Sequence, residues 1–119
     1  VNFLRNKNEE VEFVKSGESG KELVTTCITL FELYYGAYKS KESKNNLNAI
    51  SSLANRIEIL DFSSESAKKA GEIMSKLEKQ GKQIEFRDLF IGAIALSNNC
   101  SIKTYNIKHF SRIDGLNLI

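Results

Sequence analysis

The alternation of strands with helices that follow them at once predicts an α/β domain with a mostly parallel sheet. Three observations carry this reading. The β-branched run Leu23–Ile28 (LVTTCI) leads directly into the amphipathic stretch Thr29–Ser40, and Ile57–Phe62 (IEILDF) leads into Ser63–Gln80 in the same way. Phe86–Asn99 (FRDLFIGAIALSNN) is apolar on nearly every side, which is the pattern of a helix buried against a sheet.

From the start of the chain, Val1–Leu4 (VNFL) reads as the middle of an element, and we expect that something upstream is missing. Asn6–Lys21 is rich in lysine and glutamate; Val11, Phe13 and Val14 form a short apolar stripe that Gly17 and Gly20 break, so a short helix and then a loop are expected. Leu23–Ile28 is a buried strand. Thr29–Ser40 begins with Thr-x-x-Glu, the pattern in which Thr29 and Glu32 cap each other's end of a helix. Asn45–Ala54 spaces Leu47, Ile50 and Leu53 as a moderately amphipathic helix. Ile57–Phe62 alternates apolar and acidic residues, as a strand nearer the sheet edge does. Ser63–Gln80 opens on a serine cap, with Gly81 as its C-terminal stop. Ser101–Thr104 is a brief strand, Ile107–Phe110 one turn of helix, and Ile113–Ile119 a turn at Gly115 followed by a short last strand.

Composition bounds the function. The 119 residues suffice for one domain with its own core and are too few for two, so residues 1–119 form a single domain. Hydrophobic residues at 41% and charged residues at 27% are those of a soluble globular protein; no apolar run nears about 18 residues and no signal-peptide pattern occurs. A cytoplasmic protein without a membrane span is expected. Cys27 and Cys100 are far apart, form no CxxC, and have His109 as the sole histidine, so both read as reduced core thiols rather than zinc ligands. A net charge of +2 favours an anionic partner too weakly to argue for nucleic acid.

Ligands of parallel sheets bind beyond the carboxyl ends of the strands, and three polar residues fall there: Glu32 after the first strand, Asn106 after the third, and Asp88 at the head of the buried helix. A buried unpaired carboxylate costs several kcal/mol, so Asp88 needs a cation, N–H donors or a wet pocket. Structural roles stand beside functional ones. Asp88 complements the helix dipole or pairs with Arg87, and Glu32 completes a capping box. No Gly-rich phosphate loop, Ser-His-Asp set or histidine cluster competes with these residues.

On ITLFELYYGA around Glu32, IEFRDLFIGAIALSNNCSIKTYNIKHF around Asp88 and Asn106, and the closing SRIDGLNLI, the chain resembles a PIN-domain ribonuclease, most of all the VapC-like toxins of type II toxin–antitoxin pairs. The resemblance spans nearly the whole chain in the expected order, and implies a PIN-like three-layer α/β/α fold and a metal-dependent endoribonuclease that hydrolyses RNA phosphodiester bonds. Glu32 and Asp88 match the family's acids that hold Mg²⁺ or Mn²⁺; Asn106 stands where relatives carry an aspartate or asparagine and orients a water, with Thr104 as a supporting hydroxyl. Implied partners are an RNA substrate, a cognate antitoxin and a second copy in a homodimer.

The family's first strand, ending in an Asp-Thr-Asn/Asp signature, is absent: VNFLRN matches the residues just after it. That strand is central, between Leu23–Ile28 and Ser101–Thr104, and its loss would leave unpaired backbone on both neighbours. A truncated start is the expectation, ahead of a strand supplied by another chain or a degenerate copy. The alternative function is a catalytically degenerate PIN-like module that binds RNA or protein; a further alternative is an unrelated α/β domain. Tyr34, Tyr35 and Tyr38 read as core or dimer packing before base stacking. Arg87, Lys103 and Lys108 flank the site and are as readily solvated as phosphate-bound.

Overall fold

The computed structural model describes residues 13–16, 22–103 and 107–118. Four strands form one sheet: β1 (Phe13–Ser16), β2 (Glu22–Thr26), β3 (Ile59–Leu60) and β4 (Ser101–Lys103), in the order β3-β2-β1-β4. The helices are α1 (Cys27–Lys39), α2 (Ser43–Ala54), α3 (Ser64–Lys79), α4 (Phe86–Ser97) and the single turn α5 (Ile107–Phe110). β3 pairs parallel to β2, with Thr25 opposite Ile59 and Thr26 opposite Leu60. At the far side of β4, Ile102 forms a lone parallel bridge with Leu118, and its amide donates to the Asn117 carbonyl at 2.9 Å. The expected last strand is reduced to that contact.

The centre of the sheet departs from expectation. Phe13–Ser16 is a strand where a helix was expected, and it lies between β2 and β4, antiparallel to both: Val14 faces Val24 on one side and Ile102 on the other. The place that the resemblance gives to a parallel central strand is thus occupied by FVKS. The backbone groups of β2 and β4 that would otherwise face each other across a gap find partners there. A segment of four residues with two apolar side chains is too short to make a helix stable in isolation, and this ladder decides its conformation.

The boundary between β2 and α1 also moves. The strand stops at Thr26, whose extended backbone and side-chain oxygen cap the helix by accepting the Thr29 amide at 3.2 Å. Ile28 is helical, not strand. Thr29 is therefore inside the helix and buried, the first turn holds no acid, and the expected capping box between Thr29 and Glu32 does not form. Val24, Thr25 and Thr26 are buried, as both faces of an interior strand must be.

Ser63 caps α3 by accepting the Ser66 amide at 3.1 Å, and Gly81, at φ 70°, closes it as Lys82 donates to Leu77 at 2.9 Å. Asn99, at φ 55°, turns the chain out of α4 into β4 while Cys100 donates to the Ala95 carbonyl at 2.8 Å. Across the pair of helices, the Ser66 and Ser97 hydroxyls meet at 2.9 Å. The main core gathers Val24, Ile73, Leu77, Leu89, Ile91 and Phe110, among others; a smaller one joins Leu33, Ala37 and Ile50 between α1 and α2. Ile91 and Ile94 are wholly buried, each contributing about 1.5–3 kcal/mol, enough to offset the cost of one paired buried carboxylate in the same helix. Gly92 meets Ile113, and a side chain there would collide with its Cδ1. Cys27 and Cys100 are thiols outside any disulfide; Cys100 is buried and Cys27 half-buried, so only the former is a core thiol in the full sense.

Candidate active site

The first turn of α4 brings Asp88 to a place that is almost closed to solvent, 2% exposed. The helix is held there by its apolar faces, so the carboxylate has no freedom to leave. Its oxygen Oδ1 accepts from Arg87 Nη1 at 2.7 Å. The pairing of Asp88 with Arg87, considered from sequence as a structural role, is therefore real. It is also incomplete as a description, because the same guanidinium reaches a second carboxylate: Arg87 Nε contacts Glu32 Oε1.

Glu32 comes from the middle of α1, freed from any capping duty by Thr26. Its side chain is 40% exposed, that of Arg87 23%, and that of Asp88 3%, so the three charges run from the rim of the site into the core. Two acids from two helices close on a single cation. Among the described residues, no group of three or more histidine, cysteine or acidic side chains converges to hold a metal. The donor set is two carboxylates, hard oxygen ligands of the kind that Mg²⁺ and Mn²⁺ prefer, gathered where a positive group already sits; it fits such an ion as a partial set.

On its other side Asp88 faces a cavity of about 290 Å³, lined also by Gln83, Ile84, Glu85 and Arg112. Arg112 donates from Nη1 to the Gln83 carbonyl and is exposed. No sequence signal singles out Arg112, a lone arginine between the exposed Ser111 and the buried Ile113, and it is the functional candidate that sequence reasoning missed. A second hollow, about 350 Å³, opens beside Glu32 and is lined by Tyr35, Gly36, Lys39 and Ser40.

Of the other expected site residues, Thr104 and Asn106 lie outside the described residues, as does the side chain of Lys103; Lys108 is exposed on α5. The tyrosines divide. Tyr34 joins the α1–α2 contact and meets the Ser51 hydroxyl at 3.2 Å, whereas Tyr35 and Tyr38 face outward with Phe31, which stacks on Tyr35 at 6.2 Å between ring centres. No helix among the described residues is long and apolar enough to cross a membrane.

Known proteins share both the sequence and the fold of this chain. The PIN domain family matches residues 1–116. Ribonuclease VapC2 of Rickettsia felis is 38% identical over 94 residues, covering 79% of this chain and 70% of its own. The tRNA(fMet)-specific endonuclease VapC of Shigella flexneri is 34% identical over 113 residues, covering 95% and 85%. Among solved structures, VapBC2 from Rickettsia felis bound to a DNA fragment from its promoter superposes with a TM-score of 0.79 at 30% identity, over 99% of this chain and 92% of the other. DNA-bound VapBC from Salmonella typhimurium gives 0.76 at 33%, over 79% and 71%. With a match across almost its whole length, residues 1–116, this chain belongs to the PIN domain family.

Proposed function

We propose that the chain is a metal-dependent endoribonuclease, the toxin of a toxin–antitoxin pair, which hydrolyses RNA phosphodiester bonds at the Glu32–Asp88 pair. The observation that carries this is the convergence of two carboxylates from α1 and α4 on one cationic group. The relatives named as ribonucleases and the neighbours solved as VapBC complexes support RNA as the substrate and an antitoxin as the partner.

Asp88, buried, and Glu32, more exposed at the rim, are the residues that would hold Mg²⁺ or Mn²⁺. When bound, the ion supplies an acidified water and positive charge beside the phosphorus. The chain's own groups do the rest. Asn106 and Thr104, which follow β4 in sequence, orient the attacking water, whose oxygen bonds to phosphorus and gives up a proton to solvent as the ester P–O bond breaks and the leaving oxygen takes a proton from solvent. Arg112, across the cavity from Asp88, is placed to donate to a phosphate oxygen. The reading includes a cytoplasmic location and self-association as a homodimer. Phe31, Tyr35 and Tyr38, exposed on one helix, are surface of the kind that protein partners cover.

One observation favours a second reading, a PIN-like module that binds RNA or protein without cutting: β1, which fills the centre of the sheet, is FVKS and carries no acid, so the described acid set stays at two. Calorimetric titration with Mn²⁺, together with cleavage of a structured RNA, separates the two. Metal binding and cleavage that are both lost in Asp88→Asn support the nuclease; a folded protein that binds RNA yet neither binds Mn²⁺ nor cuts is the module.

A further inference from the structure

We propose that Arg87 is an internal counter-ion that a divalent cation must displace, so that the metal-free and metal-bound states of the site differ by an exchange of one positive charge for another. The inference rests on reading Glu32 and Asp88 as the metal-holding pair. Residues adjacent on a helix normally point apart, and an arginine next to an aspartate has no geometric reason to bond it. Here Arg87 curls back to Asp88 with Nη1 and reaches across to α1 with Nε, so two nitrogens of one planar group serve two carboxylates on two helices. The arrangement answers an electrostatic need. Two acids drawn together near the core repel one another, and one of them is almost fully desolvated, a cost that a shared cation removes.

Arg87 engages Oε1 of Glu32 and Oδ1 of Asp88, carboxylate oxygens of the kind that a hard cation prefers. A divalent ion drawn to the same pair of acids would be repelled by the guanidinium and would compete with it for their charge. The hold of Arg87 on the pair is therefore subtracted from the affinity for the ion, as for any ligand whose competent state must first be populated. Arg87 is suited to leave, because its side chain is 23% exposed and lies on the solvent side of Asp88. It is a positioning residue: it keeps the carboxylates gathered without taking part in the reaction.

The test is calorimetric titration of the protein with Mn²⁺ at fixed pH and low salt, for the unchanged chain, Arg87→Gln, Arg87→Lys and Asp88→Asn, with thermal unfolding in EDTA and in Mn²⁺. Arg87→Gln should bind Mn²⁺ about tenfold tighter, ~1.4 kcal/mol, while unfolding at a lower temperature in EDTA. Arg87→Lys, which reaches one carboxylate at a time, should fall between and guards against a glutamine variant that fails to fold. Mn²⁺ should raise the unfolding temperature of Arg87→Gln more than that of the unchanged chain. An arginine that merely holds the fold would lower both unfolding temperatures alike and leave the affinity unchanged. Equal or weaker Mn²⁺ binding by Arg87→Gln, alongside loss of binding in Asp88→Asn, overturns the inference and leaves the nuclease reading standing. Retention of full binding by Asp88→Asn overturns the metal assignment itself, and the inference with it.

Discussion

The Thr29 amide donates to Thr26 Oγ1 at 3.2 Å, and this bond fixes the phase in which α1 presents Glu32 to α4. Thr26→Val keeps the volume of a side chain that is wholly buried and removes the acceptor. The expected cost is about 1 kcal/mol of stability, read as a shift of the urea midpoint with unchanged slope. Glu32→Gln should leave the start of the helix intact; a comparable loss of helix content in that variant would restore the capping box.

The two acids differ in burial and should differ in what their loss does. If Asp88 and Glu32 hold the metal as proposed, Asp88→Asn and Glu32→Gln should both lower cleavage by roughly 100-fold or more, since each would withdraw a ligand charge worth several kcal/mol in the transition state. Their effects on stability should separate. The Asp88 variant changes a charge-assisted bond beneath the surface, whereas Glu32, 40% exposed, is screened by solvent. Chemical denaturation of both variants in EDTA measures the difference, and equal stability would mean that burial does not rank these groups.

Arg112 lies at the rim of the cavity that Asp88 faces. Arg112→Ala is expected to raise KM for RNA by about tenfold with a smaller change in kcat, and to reduce the slope of log affinity against log salt by about 0.7, the signature of one lost phosphate contact on a single strand. Mn²⁺ affinity should stay as it was. If it weakens, Arg112 supports the carboxylates instead.

β1 is tested by Val14→Pro. A proline in a strand paired on both sides removes a donor and distorts two ladders, so a loss of about 3 kcal/mol or more is expected. Unchanged thermal unfolding would show that β1 contributes nothing to the sheet.

Much of this arrangement could be read from residue order, for definite reasons. Asp88 stood out because it is the one acid in Phe86–Ser97, where almost every neighbour is apolar. Ser63 and Gly81 bounded α3 because a cap and a left-handed glycine are local chemistry. Glu32 was ambiguous because Thr29, three residues before it, matched a capping box, whereas the strand ends at Thr26 and the bond by which Thr26 caps α1 exists only once the strand has ended. β1 was missed because four residues carry too little periodicity; what makes them a strand is the pair of edges on either side, and those lie in other parts of the chain. The bridging by Arg87 was half legible, since sequence brings it next to Asp88 but says nothing of Glu32, 55 positions earlier.

The antiparallel β1 has a consequence for the order of assembly. In a sheet whose inner pairings are all parallel, every ladder must wait for a crossover helix to form and dock. Here Ser16 lies opposite Glu22, so β1 and β2 close as a local hairpin at little cost in chain entropy. That hairpin presents a ready edge on each side, for β4 and for β3. Folding of this domain can therefore start from the β1–β2 pair, before any crossover helix has docked.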